Sequence, residues 1–137
     1  MDWITDKIAI GNYLDAKNVE LISKEKIASI LSLDGTLLGV AAKELGVKRI
    51  EVRKLQDNAD NHPDTFLVAV RMLQKMVLDS PPVMVQCHAG RSRSVILVAA
   101  FFMISTGMTS EEAIAKVSTK REIGITPGLE KMLSFVG

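Results

Sequence analysis

The chain holds a single cysteine, and the residues around it decide what that sulfur can do. It stands in Gln86-Cys87-His88-Ala89-Gly90-Arg91-Ser92-Arg93-Ser94. The apolar run Val83-Met84-Val85 precedes this stretch, and an apolar run from Val95 to Ile104 follows it. A backbone that leaves a strand at Cys87 and enters a helix near Arg93 must turn sharply between them. Successive N–H groups of such a turn point inward as an anion nest, reinforced by the positive end of the helix. Gly90 supplies a backbone angle that a side chain would resist. Arg93 can grip two oxygens of one oxyanion with its planar fork. The same positive surroundings favour the thiolate of Cys87, the form that attacks electrophiles. Ser94 can donate a hydrogen bond to that sulfur and ease its departure later. The chemistry implied is capture of a phosphoryl group, with residues His88, Ala89, Gly90, Arg91, Ser92 and Arg93 cradling the phosphate.

Elements must exist to hold this loop in place. Short apolar strands alternate with amphipathic helices, the pattern of an α/β layer structure. Strands are expected at Ile8–Ile10, Ile27–Leu33, Val47–Val52 and Val83–Val85, the last apolar throughout, as suits a parallel strand covered on both faces. Helices are expected at Ala16–Lys24 and at Leu37–Leu45, the second closed by Gly46. Gln56 to Pro63 is a turn-rich loop, and Pro63 suits the first turn of the next helix, whose Phe66, Val70, Leu73 and Val77 share one face. Ser94–Thr106 is apolar nearly all round and should be the central buried helix, closed by Gly107. Thr109-Ser110-Glu111-Glu112 is a capping box opening a helix to about Thr119. Ile123–Gly128 reads as a loop, and a short helix ends the chain from Leu129. The expected fold is a single α/β domain over residues 1–137, with a small, mixed and largely parallel sheet flanked by helices.

Composition narrows the function classes. The chain has 137 residues, 47% hydrophobic and 24% charged, a globular mix with room for one core. A net charge of +1 offers no broad basic field for nucleic acid. No apolar stretch approaches the roughly 20 residues of a membrane span, and the start lacks a signal-peptide pattern. One cysteine excludes an internal disulfide and suits a reducing, cytoplasmic setting. With only His62 and His88 beside Cys87, no common zinc spacing occurs, so neither metal nor other cofactor is expected. No Gly-x-Ser-x-Gly elbow suggests a serine nucleophile.

Cys-x5-Arg-Ser between an apolar strand and an apolar helix resembles the signature of the protein tyrosine phosphatase superfamily. Cys87-His88-Ala89-Gly90-Arg91-Ser92-Arg93-Ser94 in so short a chain looks like the dual-specificity branch. The resemblance runs from about Ile8 to Leu133 and includes Arg121-Glu122-Ile123-Gly124, similar to the family's loop beside the active site. It implies a phosphocysteine intermediate on Cys87 and an aspartate acid on a loop about thirty residues upstream. Asp57 lies at that distance, with Asp60 a competitor and Asp64 better suited to the first helical turn. It also implies phosphotyrosine and phosphoserine or phosphothreonine proteins as substrates. The loop is similar, too, to that of phosphatidylglycerophosphate phosphatases, which makes a phospholipid, phosphoinositide or other small phosphorylated molecule the alternative. A phosphate-binding module without turnover is the minor one. One departure stands out: the family has His before the cysteine and this chain has Gln86, which implies lowered activity. His62 reads as a solvated or capping residue, Arg121 as a surface charge, and Met72, Met76, Met103 and Met108 as core filling. The oligomeric state is open.

Overall fold

A computed structural model describes residues 1–136. Five strands form one sheet: β1 (Asp2–Trp3), β2 (Ile8–Gly11), β3 (Ser29–Ser32), β4 (Arg49–Val52) and β5 (Val83–Gln86). Their order is β1-β2-β5-β3-β4, with β1 antiparallel to β2 and every other neighbour parallel. The helices are α1 (Val19–Lys24), α2 (Ala42–Leu45), α3 (Pro63–Asp79), α4 (Arg93–Thr106) and α5 (Ser110–Ser118). Two 3₁₀ segments, Asp15–Lys17 and Leu129–Phe135, complete the chain.

The central strand β5 is buried from end to end, and strand alternation splits its side chains between two apolar layers. Val83 and Val85 join Leu31 beneath α3, α4 and α5, around Phe66, Leu73 and Ile96. Met84 joins Ile30 on the other face, where Ile22, Leu37 and Leu45 close a smaller layer. Helix α4 has Val95 to Ala100 wholly enclosed, so it is apolar on every side, as its sequence demanded. On α3 the buried stripe is Phe66, Ala69, Val70, Leu73 and Met76, while Val77 is only partly covered. Met76 is in the core, and Met72, Met103 and Met108 pack partly buried against it. The capping box of α5 forms in both directions between Thr109 and Glu112.

Three expectations change. The helix expected from Ala16 to Lys24 is divided at Asn18, which is extended and caps α1 through Leu21 N–H at 3.1 Å. The helix expected from Leu37 to Leu45 shrinks to Ala42–Leu45 before left-handed Gly46. Residues ahead of it turn too tightly for an α-helix: Leu38 N–H bonds to Gly35 O, Val40 N–H to Leu37 O, and Gly39 has a φ of 76°. Strand β1 was not expected, because two residues carry no periodicity.

Candidate active site

The loop between β5 and α4 sits where a strand's carboxyl end meets the amino end of a buried helix. Cys87 is 2% exposed, and its Sγ lies 2.7 Å from Ser94 Oγ in the first turn of α4. The next backbone N–H groups, from His88 to Ser92, donate to no protein acceptor among the described residues. Arg93 adds to them. Its Nη1 donates to Leu55 O at 3.3 Å, while its buried Nε has no partner among the described residues. A row of free donors beside a thiol and a helix N-terminus is an oxyanion cradle. Gly90 has a φ of 68°, and a Cβ there would lie 2.7 Å from Gly11 O, so only glycine fits.

Gln86 ends β5, fully buried, and faces the layer away from α4 beside its register partner Ser32. Its Oε1 accepts the Ser32 hydroxyl, and its Nε2 donates to Asp34 Oδ1 at 3.1 Å and to Thr36 Oγ1 at 3.3 Å. A neutral amide therefore ties the residue before the nucleophile to β3 and to the turn after it. Burial pushes the Asp34 carboxyl up. The Thr36 N–H and hydroxyl, the Gln86 amide and the Arg93 guanidinium together outweigh that and hold it below the usual aspartate range. A depressed folded value adds stability above the unfolded value of about 3.9, lost as pH falls through the folded one. The stability gap between the protein and Asp34→Asn should accordingly be open at pH 7 and close in acid; a gap unchanged at pH 2 in thermal melts would contradict this.

Replacing Gln86 with leucine keeps the volume but removes the amide's bonds to Ser32, Asp34 and Thr36, leaving the buried Ser32 hydroxyl only its longer contacts to Asp34. The expected cost is about 1–2 kcal/mol, since each side-chain hydrogen bond lost removes roughly 0.5–1.5 kcal/mol net. Urea unfolding checks it, and a change below about 0.5 kcal/mol would show the amide to be dispensable.

On the opposite rim, Asp57 reaches the loop from the segment after Leu55. Its Oδ1 accepts the Ser92 hydroxyl and its Oδ2 the Thr126 hydroxyl, both at 2.7 Å. Ser92 Oγ in turn accepts Thr126 N–H at 2.9 Å, which leaves its proton for Asp57. Asn61, 8% exposed, braces this segment by accepting Gln56 N–H and donating to Gln56 O and Asn58 O. Asp60 and Asp64 are exposed, and Asp64 lies 3.9 Å from His62 Nδ1. His62 caps α3, its Nδ1 accepting Asp64 N–H at 3.1 Å.

Cys87, Ser94, Arg93 and Ser92 are thus brought together, and Asp57 joins them through Ser92. Ala89 and Gly90 contribute backbone. The side chains of His88 and Arg91 are exposed rather than turned inward. His88 stacks on Tyr13, with ring centroids 4.5 Å apart and an interplanar angle of 1°, and Arg91 lies 3.7 Å from Glu122. Sequence reasoning did not single out Thr126, Asn61, Asp34 or Tyr13, and no motif marks them. It read Arg121 as a surface charge, but that side chain is 9% exposed and bound to the loop. Among the described residues no cluster of three or more His, Cys, Asp or Glu side chains is placed to hold a metal ion.

The family model described as dual specificity phosphatase, catalytic domain, matches residues 8–135. This chain belongs to the dual-specificity phosphatase family. Mouse dual specificity protein phosphatase 22 is 31% identical over 121 residues, which cover 88% of this chain and 64% of that relative. The chain therefore spans less than two thirds of the curated relative it matches. Human DUSP28 superposes with a TM-score of 0.82 at 16% identity, over 98% of this chain and 93% of that one. PTPMT1, solved in complex with PI(5)P, superposes with a TM-score of 0.72 at 22% identity, over 96% and 91%. These two likenesses establish the shared phosphatase fold. No helix among the described residues is long and apolar enough to cross a membrane.

Proposed function

We propose that this dual-specificity family member is a cysteine-dependent protein phosphatase acting on phosphotyrosine and phosphoserine or phosphothreonine, with residues 1–137 as one catalytic domain working in the cytoplasm. The observation that carries the reading is the row of unpartnered donors, His88 N–H to Ser92 N–H with Arg93 Nε, beside the Cys87 sulfur.

In the first step the Cys87 thiolate attacks phosphorus. The P–O bond to the leaving group breaks as Asp57 gives that oxygen a proton, forming phosphocysteine. In the second step a water attacks phosphorus, its proton passes to Asp57 and the S–P bond breaks. Ser94 Oγ, 2.7 Å from the sulfur, donates to the thiolate as it leaves. The amides and Arg93 carry the charge on the three equatorial oxygens in both steps, where preorganised donors act most strongly. Ser92 and Thr126 hold Asp57 at the rim. The loop supplies the positive charge that a metal would otherwise bring. Gln86 occupies the family's histidine position with every polar atom of its side chain paired, which supports an ordered cradle without that imidazole.

Side-by-side turnover of phosphotyrosine peptides, phosphothreonine peptides and anionic phospholipid vesicles tests the reading. Protein phosphatase activity is the expected result. Faster release from the phospholipid would reassign the substrate. Protein that binds a phosphopeptide yet frees no phosphate at any pH would end the enzymatic reading.

A further inference from the structure

The carbonyl groups of four consecutive loop residues after Cys87 are each taken up by a donor from another part of the chain. His88 O accepts Tyr13 N–H at 3.0 Å, and Arg91 O accepts Gly124 N–H at 2.9 Å. Between them, Gly90 O accepts Arg121 Nε at 2.6 Å and Ala89 O accepts Arg121 Nη2 at 3.4 Å. A trans peptide sets each N–H opposite the carbonyl of the residue before it. Holding these four carbonyls outward consequently turns the N–H groups of Ala89, Gly90, Arg91 and Ser92 inward, and those are among the donors left free.

One side chain supplies two of the four restraints. Arg121 follows α5, and its Nη1 is held by Asp2 Oδ2 at 2.8 Å. Asp2 lies in β1, where it pairs with Ile10 at the sheet edge. The guanidinium is packed so closely that a Cβ on Gly90 would fall 2.6 Å from Nη2. A side chain 9% exposed, whose guanidinium donates to two loop carbonyls and a carboxylate, is committed to the loop. Its charge at the oxygen end of two peptide groups also polarises their N–H ends toward the cradle.

We propose that Arg121, held in place by Asp2, is a positioning residue that keeps the loop amides turned toward the bound phosphoryl group. The inference rests on the reading of the loop as a phosphate site and goes beyond it by assigning two residues remote in sequence to its preorganisation.

The test uses the full chain with Arg121→Met, Arg121→Lys and Asp2→Asn. The probes are inorganic phosphate as inhibitor and nitrophenyl phosphate as substrate, with melts run with and without phosphate. Arg121→Met should raise the phosphate Ki and lower kcat on nitrophenyl phosphate by roughly 30-fold each, the scale of one lost charge-assisted hydrogen bond. Arg121→Lys, which can reach one carbonyl, should recover to within about fivefold of the parent protein, and Asp2→Asn should add little in the Arg121→Met background. Phosphate should raise the melting temperature of the parent and not of Arg121→Met. A purely structural residue would lower both melts equally and leave Ki alone. Folded Arg121→Met with Ki and kcat within about twofold of the parent overturns the proposal. So does a loss seen only on long phosphopeptides, which would mark a substrate contact. If Arg121→Met does not fold, an unchanged Ki in both Arg121→Lys and Asp2→Asn overturns it instead. An inert parent that binds no phosphate sinks the phosphatase reading itself, whereas an active parent with an indifferent Arg121 sinks this inference alone.

Discussion

Cys87→Ser should lower phosphate release from nitrophenyl phosphate by at least about 100-fold, equivalent to about 2.7 kcal/mol of transition-state stabilisation. The reason is the environment of the sulfur. Its hydrogen-bond partner is Ser94 Oγ at 2.7 Å, a hydroxyl that cannot serve as a base. A serine in that place would have to attack as a neutral alcohol, with nothing beside it to take its proton. The cradle is built from backbone amides and Arg93, none of which the substitution touches, so phosphopeptide binding should persist within about threefold. Rate assays and a binding titration on one preparation check both halves. Residual turnover above about a hundredth of the parent would mean another group performs the attack.

Asp57→Asn should show its effect through the leaving group. With a phosphoserine peptide, whose alkoxide must be protonated as it departs, the expected loss is about 10²–10⁴-fold. With nitrophenyl phosphate, whose phenolate departs unaided, it should stay below about tenfold. The asparagine keeps the size and can still accept the Ser92 or Thr126 hydroxyl, so the rim retains its shape. Equal losses on both substrates would remove Asp57 from the acid's role and point to Asp60. Since Asp60 is exposed and its backbone N–H is tied to Asn58 Oδ1 at 2.8 Å, Asp60→Asn should change either rate by less than about twofold.

The largest elements were the easiest to read. An apolar run as long as Val95 to Ile104 has one stable destination, a helix enclosed on all sides, and α4 is that helix. Val83 to Val85 had to be a covered strand, and it became the centre of the sheet. Capping chemistry at Pro63, Gly107 and Thr109 marked three helix ends, because those residues act within a few positions of themselves. The stretch from Thr36 to Ala41 misled for the same reason in reverse. Its two leucines and Ala41 have helical propensity, but Asp34 and buried Leu37 hold the backbone in tight turns.

By itself the sequence determined the α/β class and the one loop in which a thiol, a glycine and an arginine meet at a strand-to-helix junction. Those properties depend on residues near one another along the chain, where spacing translates directly into geometry. Only the tertiary structure decided that Asp57 lies against Ser92 and Thr126, that Gln86 is anchored by Ser32 and Asp34, and that Arg121 joins Asp2 to the outer face of the loop. Each of those contacts spans tens of residues, and its partners are single polar side chains with no periodicity. Such pairings exist because the parallel sheet carries the ends of separate segments to one edge, where burial favours a partner for each polar side chain.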